Sequence, residues 1–328
     1  MGMKIAVTGS SGLIGAALTA SLRADGHQVV RLVRRPPAGG EPAPGNTAPG
    51  NTAQGNTAAG INTASEVRWD PRAADAGNPP LSGVDVVVHL AGAGVADHRW
   101  TAGYKAEIRA SRVVATQALA SALAATEPKP KAFIVASAIG WYGDTGGGEV
   151  TEDAPAGKAF LSRVVHDWEA AADPARAAGI RVAQLRTGLV LGQGGGVLAR
   201  LAPFARLGVL PRFGNGRQVM SWISLTDEVR AIRFLLDGAS ADKQSGPYNL
   251  TAPNPVTDSE LTAALLAAYK RPNFPWLRVP AALLKLALGE MSTELLNSAR
   301  VLPARLQEAG FAFEYPDITA ALEAELPR

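Results

Sequence analysis

Residues 4–15 read KIAVTGSSGLIG, and this stretch decides the fold. Lys4–Thr8 is a mostly apolar run that predicts a buried strand, and the residues after the glycines have apolar positions at helical spacing. Gly9 permits a tight turn, Gly12 lets backbone N–H groups approach an anion, and Gly15 lets the helix pack close to the sheet. This context predicts a dinucleotide site with the pyrophosphate at the positive end of the helix dipole. We therefore predict cofactor contacts from Gly9, Ser10, Ser11, Gly12, Leu13 and Ile14.

Strand and helix patterns alternate through the first two thirds of the chain. Apolar runs at Gln28–Arg34, Val84–Leu90, Ala132–Ser137 and Ile180–Arg186 are separated by helical segments. Parallel strands need such crossover helices, so we predict an α/β fold with a Rossmann, doubly wound parallel sheet and a smaller, mainly α C-terminal domain. The predicted organisation is a dinucleotide-binding Rossmann domain at 1–191 and a substrate-side domain at 192–328, with 219–250 returning to the Rossmann sheet.

A five-residue repeat (GNTAP, GNTAQ, GNTAA, GINTA) runs from Gly45 to Ala64 and carries no charge. It offers almost no apolar surface to offset the entropy of ordering. We predict that residues 38–65 form a disordered insertion, and a substrate lid or partner-binding arm is the alternative.

The composition excludes several classes of protein. The 328 residues include no cysteine, which excludes a disulfide scaffold, a thiolate zinc site, an iron–sulfur cluster and a cysteine nucleophile. The net charge of +3 comes with no basic tract for nucleic acid, and no apolar run has the length of about 18–20 residues that spans a bilayer. The four histidines show no metal-binding spacing. We expect a cytoplasmic protein, a monomer or homodimer, with a small-molecule substrate and no metal.

The choice between NAD and NADP is read where the second strand ends. An NAD site would show a carboxylate there for the ribose 2′-hydroxyl, but no acidic residue lies between Gly26 and Glu41. Arg34 and Arg35 stand there instead, and a guanidinium pairs well with a 2′-phosphate. We predict NADP(H), against the alternative that both arginines belong to a solvated strand end.

Two later strand ends also fit a dinucleotide. Asp70 could accept a hydrogen bond from an adenine amino group or could cap the turn that follows it. Leu90, Ala91 and Gly92 end the fourth strand with small residues where the pyrophosphate and the nicotinamide ribose would pass.

With these motifs in place, the chain resembles the extended or atypical branch of the short-chain dehydrogenase/reductase superfamily. More narrowly, it is similar to an epimerase-family group of NADP-binding proteins without an established function, whose human member is the atypical family 39U reductase. The motifs that carry the resemblance are TGSSGLIG at 8–15, WDP at 69–71, HLAG at 89–92, SAIGWYGD at 137–144, DWE at 167–169, RTGLVLGQGGG at 186–196 and FGNGRQVMSWIS at 213–224. The resemblance implies cofactor contacts from Arg34, Leu90 and Ala91, and also from Glu107 and Arg112, which would otherwise be read as an exposed helical pair.

The resemblance also exposes a missing catalyst. Reductases of this superfamily use a Tyr as acid and a Lys four residues later that lowers its pKa. Here Leu161 and Val165 stand at those positions, and no such pair occurs nearby. The weak substitutes are Ser137, Tyr142 and His166, whose alternative role is packing or surface placement. The first hypothesis is therefore an NADP(H)-dependent oxidoreductase or nucleotide-sugar-epimerase-like protein, and the second is a non-enzymatic NADP(H)-binding sensor, regulatory or assembly protein.

Overall fold

The computed structural model describes residues 2–34, 65–72, 79–237 and 245–326. Arg35 and the repeat of 45–64 lie outside the described residues, and so does the predicted insertion except for Ser65, which opens a strand. None of the helices in the described ranges combines the length and apolarity needed to cross a bilayer.

The strands are β1 (Lys4–Thr8), β2 (Gln28–Val33), β3 (Ser65–Arg68), β4 (Val86–His89), β5 (Ala132–Ala138), β6 (Glu149–Val150), β7 (Arg181–Thr187), β8 (Leu189–Leu191), β9 (Arg212–Phe213), β10 (Val219–Met220), β11 (Trp222–Ser224), β12 (Gly246–Leu250), β13 (Val256–Thr257), β14 (Arg278–Val279) and β15 (Arg300–Val301). The α-helices are α1 (Leu13–Ala24), α2 (Ala102–Ala125), α3 (Phe160–Ala170), α4 (Asp173–Ala177), α5 (Gly196–Leu207), α6 (Leu225–Asp237), α7 (Asp258–Ala268), α8 (Ala281–Leu288), α9 (Ser292–Leu296), α10 (Ala304–Glu308) and α11 (Ile318–Glu325). Short 3₁₀ helices cover Ile139–Trp141 and Gly289–Met291.

Seven strands form one parallel sheet in the order β12-β7-β5-β4-β1-β2-β3. This is the doubly wound order. From the switch point between β1 and β4, the chain order of the strands runs outward in opposite directions, while all strands stay parallel. The predicted Rossmann fold is confirmed. Within the segment predicted to return to the sheet, only β12 joins it, as the edge strand beside β7, whereas β10 and β11 pair with β13 and β8.

Helices cover both faces of this sheet, because its central strands are apolar on both sides. On one face, α1 and α6 pack Leu18, Leu22 and Ile232 against β1, β4, β5 and β7. On the other face, α2 contributes Leu119 and Leu123 to the buried residues, and α4 contributes Ala175. A third apolar cluster joins α5, α7 and α11 to Leu191 at the end of β8. The start of α5 lies beside Ser137 and Thr187, at the carboxyl ends of β5 and β7.

Candidate functional site

A cleft runs along the carboxyl ends of the strands on both sides of the β1–β4 switch point, where doubly wound proteins bind ligands. It consists of two adjoining cavities of about 510 and 380 Å³, each within the size range of small-molecule sites. We name them the Arg34 cavity and the Thr187 cavity, and Gly9, Gly12 and Leu90 line both. The Arg34 cavity is lined by Gly9, Ser10, Ser11, Gly12, Leu32, Val33, Arg34, Glu66, Leu90, Ala91 and Gly92. The wall of the Thr187 cavity includes Leu13, Ile14, Ala136, Ser137, Thr187, Gly188 and Val197.

The glycine turn has a different requirement at each glycine. Gly9 has φ +67°, and a Cβ there would stand 2.7 Å from the Leu90 carbonyl group. A Cβ on Gly15 would stand 2.2 Å from the Gly9 oxygen, so this glycine seats α1 on the turn. A Cβ on Gly12 would meet only the Gly9 oxygen, at 3.4 Å, and would otherwise project into the cleft.

The amino end of α1 is left open for an anion. Gly12 is the N-cap residue, and no side chain in the described part of the chain caps the N–H groups of this end. The first N–H groups of a helix need an acceptor, and they carry a partial positive charge. The turn therefore fits a phosphate, whose oxygens would occupy the space that a Gly12 side chain would fill.

Basic side chains line the end of β2. Arg34 is exposed at the mouth of the Arg34 cavity and, within the described ranges, makes no hydrogen bond or ion pair. Arg31, which the sequence analysis did not single out, donates from Nε to the Ser10 hydroxyl at 3.0 Å and pairs with Glu66 on the neighbouring strand. Within the described ranges, Arg31 compensates the Glu66 carboxylate, and Arg34 contributes a positive charge that has no carboxylate partner there.

Asp70 and Glu107 are engaged within the protein. The Asp70 carboxylate accepts the backbone N–H of Arg72 at 3.1 Å, so the turn-capping alternative is the geometry present. Glu107 accepts two hydrogen bonds from the Arg72 guanidinium, at 2.7 and 2.8 Å. Neither carboxylate lines the two main cavities.

The Arg112 side chain contacts the backbone of the segment that follows β4. Its guanidinium donates to the carbonyl oxygens of Ala93 at 3.0 Å and Ile108 at 3.1 Å, and it lies 5.1 Å from the Trp168 ring centroid. A Cβ on Gly92 would stand 3.4 Å from Arg112 Cζ. Arg112 thus fixes the floor of the Arg34 cavity by holding the Gly92–Ala93 backbone.

Trp69 and His89 line a small neighbouring cavity of about 50 Å³, together with Arg34, Ala91 and Gly92. Trp69 Nε1 and His89 Nε2 have no hydrogen-bond partner within the described residues. The Thr8 hydroxyl lies 2.7 Å from His89 Nδ1, and burial lowers the pKa of His89 to about 4. Both side chains thus lie in the wall beside the Arg34 cavity, and burial keeps the His89 imidazole uncharged.

A buried ion pair between Arg186 and Glu169 contacts Ser137 in the wall of the Thr187 cavity. Arg186 donates from Nε and Nη2 to the two carboxylate oxygens of Glu169, at 2.8 and 3.0 Å. The Ser137 hydroxyl donates to the same carboxylate at 2.6 Å. Burial alone would lower the pKa of Arg186, but the hydrogen bonds and charge of Glu169 raise it. The candidate Ser137 therefore lines the cleft with its hydroxyl already used.

The other two catalytic candidates do not reach the cavities. The Tyr142 hydroxyl is buried, donates to Asn249 Oδ1 at 2.7 Å and accepts from Arg186 Nη1 at 3.0 Å. Burial raises the pKa of Tyr142, which makes it a weaker acid. His166 stands on the exposed face of α3, with its ring centroid 5.8 Å from that of Trp141.

Thr187 and Glu228 form a contact that the sequence did not reveal. Thr187 ends β7 in the wall of the Thr187 cavity, and its hydroxyl lies 2.9 Å from Glu228 Oε1 on α6. The two residues are 41 positions apart, and no local pattern connects them. No cluster of three or more His, Asp or Glu side chains suited to a metal occurs in the ranges that the structure describes.

The sheet order and the glycine turn define a Rossmann-fold protein of the short-chain dehydrogenase/reductase type. The sequence profile of the NAD dependent epimerase/dehydratase family matches residues 5–251, and that of a domain of unknown function, DUF1731, matches residues 279–325. The chain belongs to the NAD dependent epimerase/dehydratase family, which confirms the resemblance drawn from its motifs.

Similar proteins come from several organisms. The epimerase family protein ML0860 of Mycobacterium leprae is 42% identical over 97% of this chain and 94% of its own length. The crystal structure of human epimerase family protein SDR39U1 with NADPH is 29% identical, covers 98% of this chain and 99% of the human chain, and has a TM-score of 0.82. A nucleoside-diphosphate sugar epimerase from Corynebacterium glutamicum is 34% identical with a TM-score of 0.74, over 99% of this chain and 58% of that one.

Proposed function

We propose that this protein binds NADP(H) along the cleft, with the 2′-phosphate at Arg34 and the nicotinamide in the Thr187 cavity. The observation that carries the proposal is the Arg34 guanidinium, which has no partner among the described residues and shares a cavity with the open amino end of α1. A guanidinium at that place distinguishes the doubly charged 2′-phosphate of NADP from the neutral hydroxyl of NAD. The human relative crystallised with NADPH supports the same cofactor.

The residues proposed to hold the cofactor act in different ways. Gly9, Ser10, Ser11, Gly12, Leu13 and Ile14 would surround the pyrophosphate, with Leu90, Ala91 and Gly92 on the opposite side. Arg112 would act through the backbone it holds, and Arg31 through the Ser10 hydroxyl. Asp70, Glu107 and Arg35 remain predictions. The two-domain division at residue 191, the cytoplasmic location and the monomeric or homodimeric state also remain predictions.

The proposed reaction class takes account of the hydroxyl groups at and near the Thr187 cavity. Bound NADPH supplies a hydride, and a reduced carbonyl then needs a proton from a nearby acid. The Ser137 and Tyr142 hydroxyls are committed to Glu169 and Asn249, so the usual tyrosine chemistry has no counterpart among the candidates. We propose an oxidoreductase or epimerase-like activity with a different proton source. The relative named as a nucleoside-diphosphate sugar epimerase supports a sugar-nucleotide class of substrate.

The committed Ser137 and Tyr142 hydroxyls also favour a second function. A protein that binds NADP(H) and performs no proton transfer needs no free acid beside the nicotinamide. We therefore keep, as the alternative, a sensor, regulatory or assembly protein whose conformation depends on NADP(H).

A ligand-induced thermal shift tests the cofactor proposal. Wild type and Arg34→Ala are heated with NADPH or NADH, and Arg23→Ala serves as the matched control because Arg23 is an exposed arginine in the last turn of α1. NADPH is expected to stabilise wild type and Arg23→Ala more than NADH does, and this difference should vanish in Arg34→Ala. Equal stabilisation of wild type by the two nucleotides would contradict the 2′-phosphate assignment.

Consumption of NADPH distinguishes the two functions. Nucleotide absorbance is followed with a panel of aldehydes, ketones and sugar nucleotides at a concentration where NADPH is shown to bind. Oxidation of NADPH by any of them supports the enzyme, and binding with no turnover across the panel supports the sensor.

A further inference from the structure

Glu228 is a buried acid directly behind the wall of the Thr187 cavity. Its side chain is 0% exposed on the first turns of α6, with Oε1 2.9 Å from the Thr187 hydroxyl oxygen. Its second carboxyl oxygen, Oε2, has no hydrogen-bond partner within the described part of the chain. A carboxylate in this position would lose nearly all of its hydration, whereas a neutral carboxyl group loses much less.

The protonation state of Glu228 decides what Thr187 offers to the cleft. The Thr187 hydroxyl carries one hydrogen, and its alternative acceptor, the Leu185 carbonyl oxygen, is distant at 3.4 Å. If Glu228 is ionised, it accepts that hydrogen, and Thr187 turns only lone pairs toward the cavity. If Glu228 is neutral, its own O–H donates to Thr187, and the threonine hydrogen is free to point into the cavity.

We propose that neutral Glu228 makes the Thr187 hydroxyl a hydrogen-bond donor for a carbonyl oxygen in the Thr187 cavity, namely that of the carboxamide on a bound nicotinamide. The assignment rests on the proposed function, since it needs NADP(H) in the cleft. Thr187 would contact the cofactor, and Glu228 is a positioning residue that acts through it. The placement follows from the cavity itself, because the wall that contains Thr187 also contains Gly12, Leu13 and Ile14 of the glycine turn.

Burial favours the neutral form of Glu228. It raises the pKa of Glu228 to about 8, although the hydrogen bond from Thr187 acts in the opposite direction. The charged side chains on the surrounding elements have partners of their own. These pairs are Arg186 with Glu169, Arg230 with Asp227 and Glu314, Arg233 with Asp25, and Glu325 with the Thr226 N–H. Among the described residues, no cation reaches Glu228 to stabilise its ionised form.

The test needs a ligand whose carbonyl cannot be replaced by an N–H. A carboxamide can rotate and present its amino group, so the probe is the reduced 3-acetylpyridine analogue of NADPH, whose acetyl group only accepts. Its affinity is measured by equilibrium titration between pH 7 and 9.5 for wild type, Glu228→Gln, Thr187→Val and Thr187→Ser. The reference ligand is 2′-phospho-ADP-ribose, which lacks the nicotinamide portion and so tests the rest of the site.

The expected changes are those of one neutral hydrogen bond, about fivefold in affinity. Wild type should bind the analogue about fivefold more weakly at pH 9.5 than at pH 7, because ionised Glu228 withdraws the hydrogen of Thr187. The amide introduced by Glu228→Gln donates at every pH, so this variant should bind tightly with a flat profile. Thr187→Val should lose about fivefold at pH 7, and Thr187→Ser should behave as wild type.

Each contrary result is distinct. A flat wild-type profile, a profile that Glu228→Gln leaves unchanged, or full affinity in Thr187→Val overturns the role of Glu228 while 2′-phospho-ADP-ribose still binds. If Thr187→Val fails to fold, the pH profiles of wild type and Glu228→Gln decide alone. If neither the analogue nor 2′-phospho-ADP-ribose binds wild type at pH 7, the proposed function fails, and this assignment fails with it.

Discussion

Removing one member of the buried Arg186–Glu169 pair should destabilise the protein strongly. The two side chains are only 3% and 9% exposed, and two hydrogen bonds join them. In Arg186→Met, the Glu169 carboxylate retains the Ser137 hydroxyl, and the described residues offer it no other cation. An uncompensated buried charge of this kind costs about 3–5 kcal/mol. Glu169→Gln leaves the guanidinium with the Tyr142 hydroxyl and the Glu152 carbonyl oxygen, so its cost should lie at the lower end of that range.

The double variant identifies how much of this cost belongs to the pair. When Glu169→Gln and Arg186→Met are combined, neither charge of the pair is left without its partner, so the double variant should be more stable than the sum of the single effects predicts. We expect a coupling energy of at least about 2 kcal/mol in the free energy of unfolding. Urea unfolding of wild type, both single variants and the double variant measures it.

The exposed pair Arg109–Asp167 provides the matched control. It also joins an arginine to a carboxylate of α3, but its side chains are 54% and 39% exposed. Exposed pairs contribute about 1 kcal/mol or less, so Arg109→Met and Asp167→Asn should be nearly additive. Additive effects at Arg186 and Glu169, within about 0.5 kcal/mol, would refute the conclusion that burial makes this pair a coupled unit.

Three further predictions concern pH and the glycine turn. Because the pKa of Glu228 is raised from 4.5 to about 8 on folding, stability should fall as pH rises between those values, by about 5 kcal/mol, and Glu228→Gln should remove this loss in urea titrations across pH. Because the pKa of His89 is lowered from 6.5 to about 4, stability should fall by about 3 kcal/mol as pH decreases from 6.5 through 4, and acid titration of His89→Gln should lack this component. Gly12→Ala should retain its thermal unfolding temperature but lose nucleotide affinity in titration, whereas Gly15→Ala, whose Cβ would stand 2.2 Å from the Gly9 oxygen, should lower the unfolding temperature itself. A lowered unfolding temperature in Gly12→Ala, or an unfolding temperature equal to that of wild type in Gly15→Ala, would contradict the roles given to these glycines.

The fold was readable from the sequence because its signals are local. The apolar run of Lys4–Thr8, the glycines after it and the alternation of strands and helices each depend on neighbouring residues, and each is present in the structure. The missing Tyr and Lys were visible for the same reason, since Leu161 and Val165 occupy one helix.

The partners of individual side chains were not readable, because they depend on register and on packing across the sheet. Arg31 meets Glu66 only because β2 and β3 pair with those two residues opposite each other, across a long intervening segment. Glu107 lies on α2 and contacts Arg72, which is 35 positions away in the sequence. No local sequence pattern indicates this contact. Thr187 meets Glu228 because the end of β7 and the start of α6 come together on one face of the sheet.

The cleft combines a glycine turn suited to a nucleotide with a wall in which the Ser137 hydroxyl is already hydrogen-bonded. The glycine turn and Arg34 retain the features that a phosphorylated dinucleotide needs. Beside them, the carboxylate of Glu169 holds Ser137 and Arg186 in one buried network. The proposed cofactor binding depends on the first group of residues, whereas the Ser137 hydroxyl of the second group is already engaged by Glu169.

The most direct test of the account is an equilibrium titration of the wild-type protein with NADPH and with NADH under the same conditions. A charge-assisted hydrogen bond between Arg34 and the 2′-phosphate contributes about 1.5–3 kcal/mol, and its exposure places this pair at the lower end. NADPH is therefore expected to bind at least about tenfold more tightly than NADH. Equal dissociation constants, or tighter binding of NADH, would contradict the assignment of the cleft to NADP(H).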